Sequence, residues 1–213
     1  MPSWKIHSKW GTKLLGFSER EIDYLIDSTH VENHDAGCWD EKVLERQLSY
    51  VAQKYGQKGQ SYYILHCILD RAEQRLLSIL SEEAIKHCND RITDEVIGEI
   101  ERKLRDDLLQ YIFEYKKLCS LELLHKLTDN ILELIYDIMS EERFLRRLEH
   151  TIHQKTVGRV VGTHPEIVRE LGKIGAKGIE RIAEIFDILA RKFGYNKNKI
   201  YLRRKSKFSA IRP

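Results

Sequence analysis

Four side chains in the first third of the chain are of types that hold metal ions. They are His7, the adjacent pair His34-Asp35, which follows 27 residues later, and Asp70. Two imidazoles and two carboxylates suit a borderline or hard divalent cation such as Mn²⁺, Ni²⁺, Co²⁺, Fe²⁺, Zn²⁺ or Mg²⁺. Such an ion polarises a phosphoryl oxygen and lowers the pKa of a bound water towards hydroxide. Two further pairs share a helical face by their spacing of four residues: His30 with His34, and His66 with Asp70. His66 and His30 could therefore serve a second metal or touch a phosphate. His87, His125, His150, His153 and His164 have no such partner pattern and read as surface residues.

Other chemistries lack their signatures. The chain has no GxSxG nucleophile elbow and no GxxxxGK[ST] phosphate loop. Its four cysteines, Cys38, Cys67, Cys88 and Cys119, form no CxxC pair, so they read as ordinary thiols rather than a zinc knuckle. His87-Cys88 are adjacent, and adjacent residues on a helix point apart.

The elements that must position these residues are helical. Ile97, Ile100, Leu104, Leu108, Tyr111 and Tyr115 form one apolar stripe at helical spacing. Leu124, Leu127, Ile131, Leu134 and Ile138 form another. Only three prolines interrupt the chain. Glu99 with Lys103 and Glu101 with Arg105 suit an exposed helix face. Ser18 followed by Glu21, between Phe17 and Ile22, predicts a capped helix start. Thr93, Ser140 and Thr163 are further expected caps, and Gly194 fits a helix C-terminus. The pattern predicts helices near 4–15, 19–29, 33–37, 40–55, 60–80, 94–118, 121–139, 141–155, 164–171 and 176–193. The fold class is all-α. The polar stretch 82–93 suggests a boundary, giving units 1–90, 91–194 and a tail 195–213.

The order His … His-Asp … Asp, in KIHSKWGTKLLGFSEREIDYLIDSTHVENHDAG and LHCILDRAE, resembles the HD-domain superfamily of metal-dependent phosphohydrolases. The resemblance covers residues 7–70. It implies an all-helical bundle with the remaining helices as a C-terminal extension, one bound divalent metal, and hydrolysis of a phosphoester, such as a nucleotide or nucleic acid. Position by position it implies His7, His34, Asp35 and Asp70 as ligands, with Asp35 also orienting the attacking water. The interval from Asp35 to Asp70 leaves room for only two helices, so Asp129, in LHKLTDNILEL, is the alternative last ligand.

The far end of the chain suggests a different partner. Leu171 to Ile179 is glycine-rich and basic, and reads as a turn opening a helix, faintly similar to the helix-hairpin-helix motif. Lys173 and Lys177 would there contact phosphates. The tail 195–213 holds seven basic residues, Arg203, Arg204 and Lys205 among them, and no acid. It leaves a mildly acidic body, and such a tail favours a polyanion. The alternative function is thus a non-catalytic helical protein, binding nucleic acid through 172–213 or pairing with a second subunit through the helices of 94–155. The longest run without a charged residue, Gly59 to Leu69, is 11 residues, too short for a membrane span of about 20. A cytoplasmic protein is expected.

Overall fold

The computed structural model describes residues 2–27, 38, 40–157 and 165–192. These form eight α-helices and, among the described residues, no strand. The helices are α1 (Trp4–Leu15), α2 (Arg20–Asp27), α3 (Glu41–Lys86), α4 (Asp94–Glu114), α5 (Leu121–Asp129), α6 (Ile131–Met139), α7 (Glu142–Thr156) and α8 (Pro165–Lys192). A short 3₁₀ turn, Tyr115–Lys117, follows α4. No helix is long and apolar enough to cross a membrane.

The described residues fall into two compact units that interleave along the sequence. One comprises those of 1–74 and 106–138, the other those of 75–105 and 139–213. The expected division at residue 90 does not follow these units. Long helices cause the difference, because α3 and α4 each contribute to both.

In the first unit, α1 buries Ile6, His7, Trp10 and Leu14 along one stripe and packs against α2 and α5. Ile22 and Ile26 of α2 are buried beside it. Ser18 does not cap α2: its hydroxyl lies 3.1 Å from that of Ser8, and the backbone N–H of Glu21 is taken by the Glu19 carboxylate. The Glu21 side chain instead binds Lys54, Tyr50 and Tyr55. Asp40 caps α3, its carboxylate accepting from the N–H groups of Lys42 and Val43.

The expected helices 40–55 and 60–80 are one element with a break at Gly56. Its φ of 65° and ψ of −158° lie in a region essentially reserved for glycine. The expected helix 121–139 is conversely two. Asn130 turns its side-chain amide back onto the carbonyl of Lys126 at 2.7 Å, and its backbone N–H caps α5.

In the second unit, α7 packs along α8. Leu76, Leu80 and Ala84 of α3, Ile97, Ile100 and Leu104 of α4, and Phe144, Leu148, Ile152, Ile182 and Ile185 are buried there. Lys103 donates to the buried Glu83 at 2.7 Å rather than pairing with Glu99. The glycine-rich turn expected at Leu171–Ile179 is helix throughout, inside α8. The reason is packing. A Cβ on Gly175 would lie 2.8 Å from the Thr156 hydroxyl, and one on Gly178 would lie 3.5 Å from the Ala84 carbonyl. Gly175 lets α8 approach α7, Gly178 sits at ordinary contact distance from α3, and neither opens an anion-binding loop.

Candidate metal centre

Each ligand-type side chain is held by an element whose apolar face is already committed to the core. His7 belongs to the buried stripe of α1. On α3, residues 62 to 70 are all buried, which carries His66 and Asp70, one turn apart, into the interior. On α2, Asp23 and Asp27 stand one residue after Ile22 and Ile26, at the border of its buried face.

His7 Nε2 lies 3.1 Å from Asp70 Oδ1. The rings of His7 and His66 are stacked with centroids 3.7 Å apart. His66 Nδ1 lies 2.9 Å from Asp23 Oδ1. A carboxylate only accepts, so Nδ1 carries a proton and donates it to Asp23. Asp23 also accepts from the Tyr62 hydroxyl, at 2.8 and 3.0 Å. The Trp4 indole N–H donates to Asp27 Oδ2 at 2.5 Å. His66 Nε2 then faces two carboxylates, with Asp70 Oδ2 at 3.2 Å and Asp27 Oδ1 at 3.3 Å.

Those last contacts are not aligned as hydrogen bonds. His66 Nε2, Asp70 Oδ2, Asp27 Oδ1 and His7 Nδ1 are all buried and without a hydrogen-bond partner. Leaving a buried polar atom unsatisfied costs about 1–3 kcal/mol. Two such oxygens, Asp70 Oδ2 and Asp27 Oδ1, face His66 Nε2, itself unpartnered, and one ligand atom from each of His7, His66 and Asp70 lies within 4.8 Å of the others. This donor set, imidazole nitrogen with carboxylate oxygen, fits a first-row divalent cation.

The charges point the same way. Burial drives the His66 pKa down, but the charge of Asp70, the hydrogen bond to Asp23 and the close carboxylates of Asp27 and Asp70 outweigh it and hold the ring well above the usual histidine range. Burial raises Asp70, yet the close His66 charge and the hydrogen bond with His7 keep it far below the usual carboxylate range. Asp27 is likewise raised by burial and lowered further by the close His66 ring and its hydrogen bond from Trp4. Burial and the charge of Asp23 push the Tyr62 phenol far up, so it stays a proton donor. Three carboxylates share this interior with two imidazoles, and the proton held on His66 sets positive charge among them.

The structure thus brings together His7 and Asp70, expected as ligands of one metal, places beside them His66, expected only for a second metal or a phosphate contact, and adds Asp23 and Asp27, which were not expected. Their signal was present: two acids at i,i+4 directly after two isoleucines at the same spacing in REIDYLID. Asp129 is exposed at the end of α5 and is not in the cluster of His7, His66 and Asp70. His30, His34 and Asp35 lie outside the described residues, as do Arg203, Arg204, Lys205 and His164.

Lys173 and Lys177 are not phosphate contacts of a turn. On the surface of α8, Lys173 pairs with Glu170 at 2.6 Å and Lys177 with Asn89 at 2.7 Å. His87 is not a surface residue but is largely buried, 3.4 Å from Glu83 and 3.0 Å from Asp90. The cysteines are also corrected. Cys38 and Cys67 form a disulfide, their Cα atoms 5.4 Å apart, while Cys88 and Cys119 are free. A separation of 29 residues hides such a pair from any local motif.

Compared with family models, with curated proteins and with solved structures, the chain matches none.

Proposed function

We propose that this protein binds one divalent metal ion at His7, His66 and Asp70 and uses it to hydrolyse a phosphoester, in the manner of the HD phosphohydrolases it resembles. The observation that carries the reading is that buried ligand atoms of His7, His66 and Asp70 lie within 4.8 Å of one another, with His66 Nε2 and Asp70 Oδ2 lacking a hydrogen-bond partner. Bound there, the ion would supply Lewis-acid polarisation of a phosphoryl oxygen and an acidified water.

The protein's own groups have definite tasks in this scheme. Asp23 fixes the His66 tautomer, leaving Nε2 free towards the metal, and Tyr62 fixes Asp23. Trp4 orients Asp27. Asp27 keeps a little exposure, whereas His7, His66 and Asp70 have none, so its side of the cluster faces a substrate. The resemblance adds His34 and Asp35 as the remaining ligands. The segment that carries them is flanked by Asp27, at the cluster, and by Cys38, tied to the neighbour of His66.

The test combines metal content with turnover. Full-length protein stripped with chelator and dialysed against Mn²⁺, Ni²⁺ or Zn²⁺ should retain about one ion per chain and hydrolyse bis-p-nitrophenyl phosphate. Asp70→Asn should lose both. Binding without turnover would leave a metal-binding protein and reject the hydrolase. No retention of any of these ions would reject the centre.

A second reading, pairing with another subunit, is favoured by one observation. Phe113, Leu118 and Leu121, within the 94–155 stretch, are large apolar side chains left exposed. Sedimentation of the wild type against Leu121→Lys separates it, since a dimer formed here should dissociate in the variant.

A further inference from the structure

We propose that a second site, a lysine-lined cleft in the first unit, binds a small molecule carrying phosphate-type negative charge. The cleft encloses about 550 Å³ where the end of α1, the part of α3 just after Gly56 and the start of α5 come together. That volume lies within the range of small-molecule sites. Lys13, Lys58 and Lys126 line it with Ser61 and Ser120, against one acid, Glu122.

Counting donors decides what the cleft can hold. An ammonium has three N–H groups. Lys13 gives one to Glu133, at 2.5 Å. Lys126 gives one to the Leu14 carbonyl, at 3.1 Å, and one to Glu122, at 2.7 Å. Among the described residues no acid pairs with Lys58, and its side chain is exposed beside the break in α3. The cleft therefore offers a surplus of charged donors and hydroxyls with little acceptor to meet them. A ligand rich in acceptor oxygens and bearing more than one negative charge fits that surplus.

The cleft is distinct from the metal centre. Lys13 lies six residues beyond His7 on α1, and Ser61 and Lys58 lie five and eight before His66 on α3. At 1.5 Å per residue this is about 8–12 Å along the helices. At the intervening level the Tyr62 ring is packed onto Gly11. Nothing in this inference depends on the metal or on hydrolysis.

The experiment is isothermal titration of full-length, chelator-washed protein with pyrophosphate at fixed ionic strength. Saturable binding at one site is expected, weakened about tenfold in Lys58→Ala and further in Lys58→Glu. Lys58 is exposed, so neither variant should alter the far-ultraviolet circular dichroism, and Lys126→Ala is the independent second variant. Metal retention should be the same in Lys58→Ala as in the wild type, which keeps this test separate from that of the metal centre. Absence of pyrophosphate binding overturns the proposal, as does binding that both Lys58→Ala and Lys126→Ala leave unchanged. A single-stranded oligonucleotide that outcompetes pyrophosphate in a Lys58-dependent way overturns it in favour of a nucleic-acid groove.

Discussion

Asp23→Asn isolates the residue that orients the proposed centre without touching the ion. In the wild type Asp23 accepts from His66 Nδ1 and from the Tyr62 hydroxyl, with all three groups buried. The asparagine has the same shape but no charge, and its amide can accept through only one oxygen. Two charge-assisted hydrogen bonds become one or two neutral ones. A bond to a charged group contributes about 1.5–3 kcal/mol, against roughly 1 kcal/mol for a neutral one. A loss of about 2 kcal/mol in stability is therefore expected. For a chain of this size that lowers Tm by about 4–8 °C. The effect on metal is separate. His66 no longer has its Nδ1 proton fixed by a carboxylate, and loss of such an orienting partner weakens metal binding about 10–100-fold. The assay is competition with a chromophoric chelator at pH 7, run beside thermal unfolding of the metal-free protein. Tyr62→Phe serves as the milder variant, removing one donor to Asp23 and leaving its charge. Asp23→Asn with unchanged metal affinity would refute the assignment of His66 Nε2 as a ligand atom. A loss of affinity equal to that in Tyr63→Phe, whose hydroxyl binds Gln47 away from the cluster, would refute the specific role of Asp23.

Metal binding should be linked to protons. His66 holds its second proton well above the usual range in the metal-free protein, so an ion must displace it. About one proton should be released near neutral pH, measured by titration calorimetry in buffers of different ionisation heat, and affinity should rise with pH by up to about tenfold per unit. The sign for stability follows from the same shift. The contribution of His66 to metal-free stability is fully present below the unfolded value of about 6.5 and is lost as pH rises through the higher folded value. Within α8, Gly172→Ala should stabilise by about 0.5–1 kcal/mol, because open space surrounds it and alanine favours helix. Gly175→Ala should gain less or lose, since its Cβ meets Thr156; equal effects in denaturant melts would contradict the close packing. Burial pushes the Cys119 thiol up to about 12, so alkylation by iodoacetamide at pH 8 should be at least about a hundredfold slower in the native than in the unfolded chain.

Helical periodicity in the sequence was enough to determine the all-α class. The stripe from Ile97 to Tyr111 is buried as spaced, because a helical period of 3.6 puts it on one face of α4, while Tyr115 is half-buried in the following turn; Leu124 to Ile138 are buried too, although the break at Asn130 divides them between α5 and α6. The sequence also offered His7, His66 and Asp70 as ligand types, and the three lie together in the first unit. It did not determine where the helices break or what the glycines do. Gly56 breaks α3 with a positive φ, whereas Gly172, Gly175 and Gly178 sit inside α8, and glycine by itself is compatible with either backbone. Only the tertiary structure could put Asp23 and Asp27 beside His66, join Cys38 to Cys67 and leave Asp129 on the surface. Contacts across 29 to 63 residues depend on how whole helices pack, and a local motif carries no record of that.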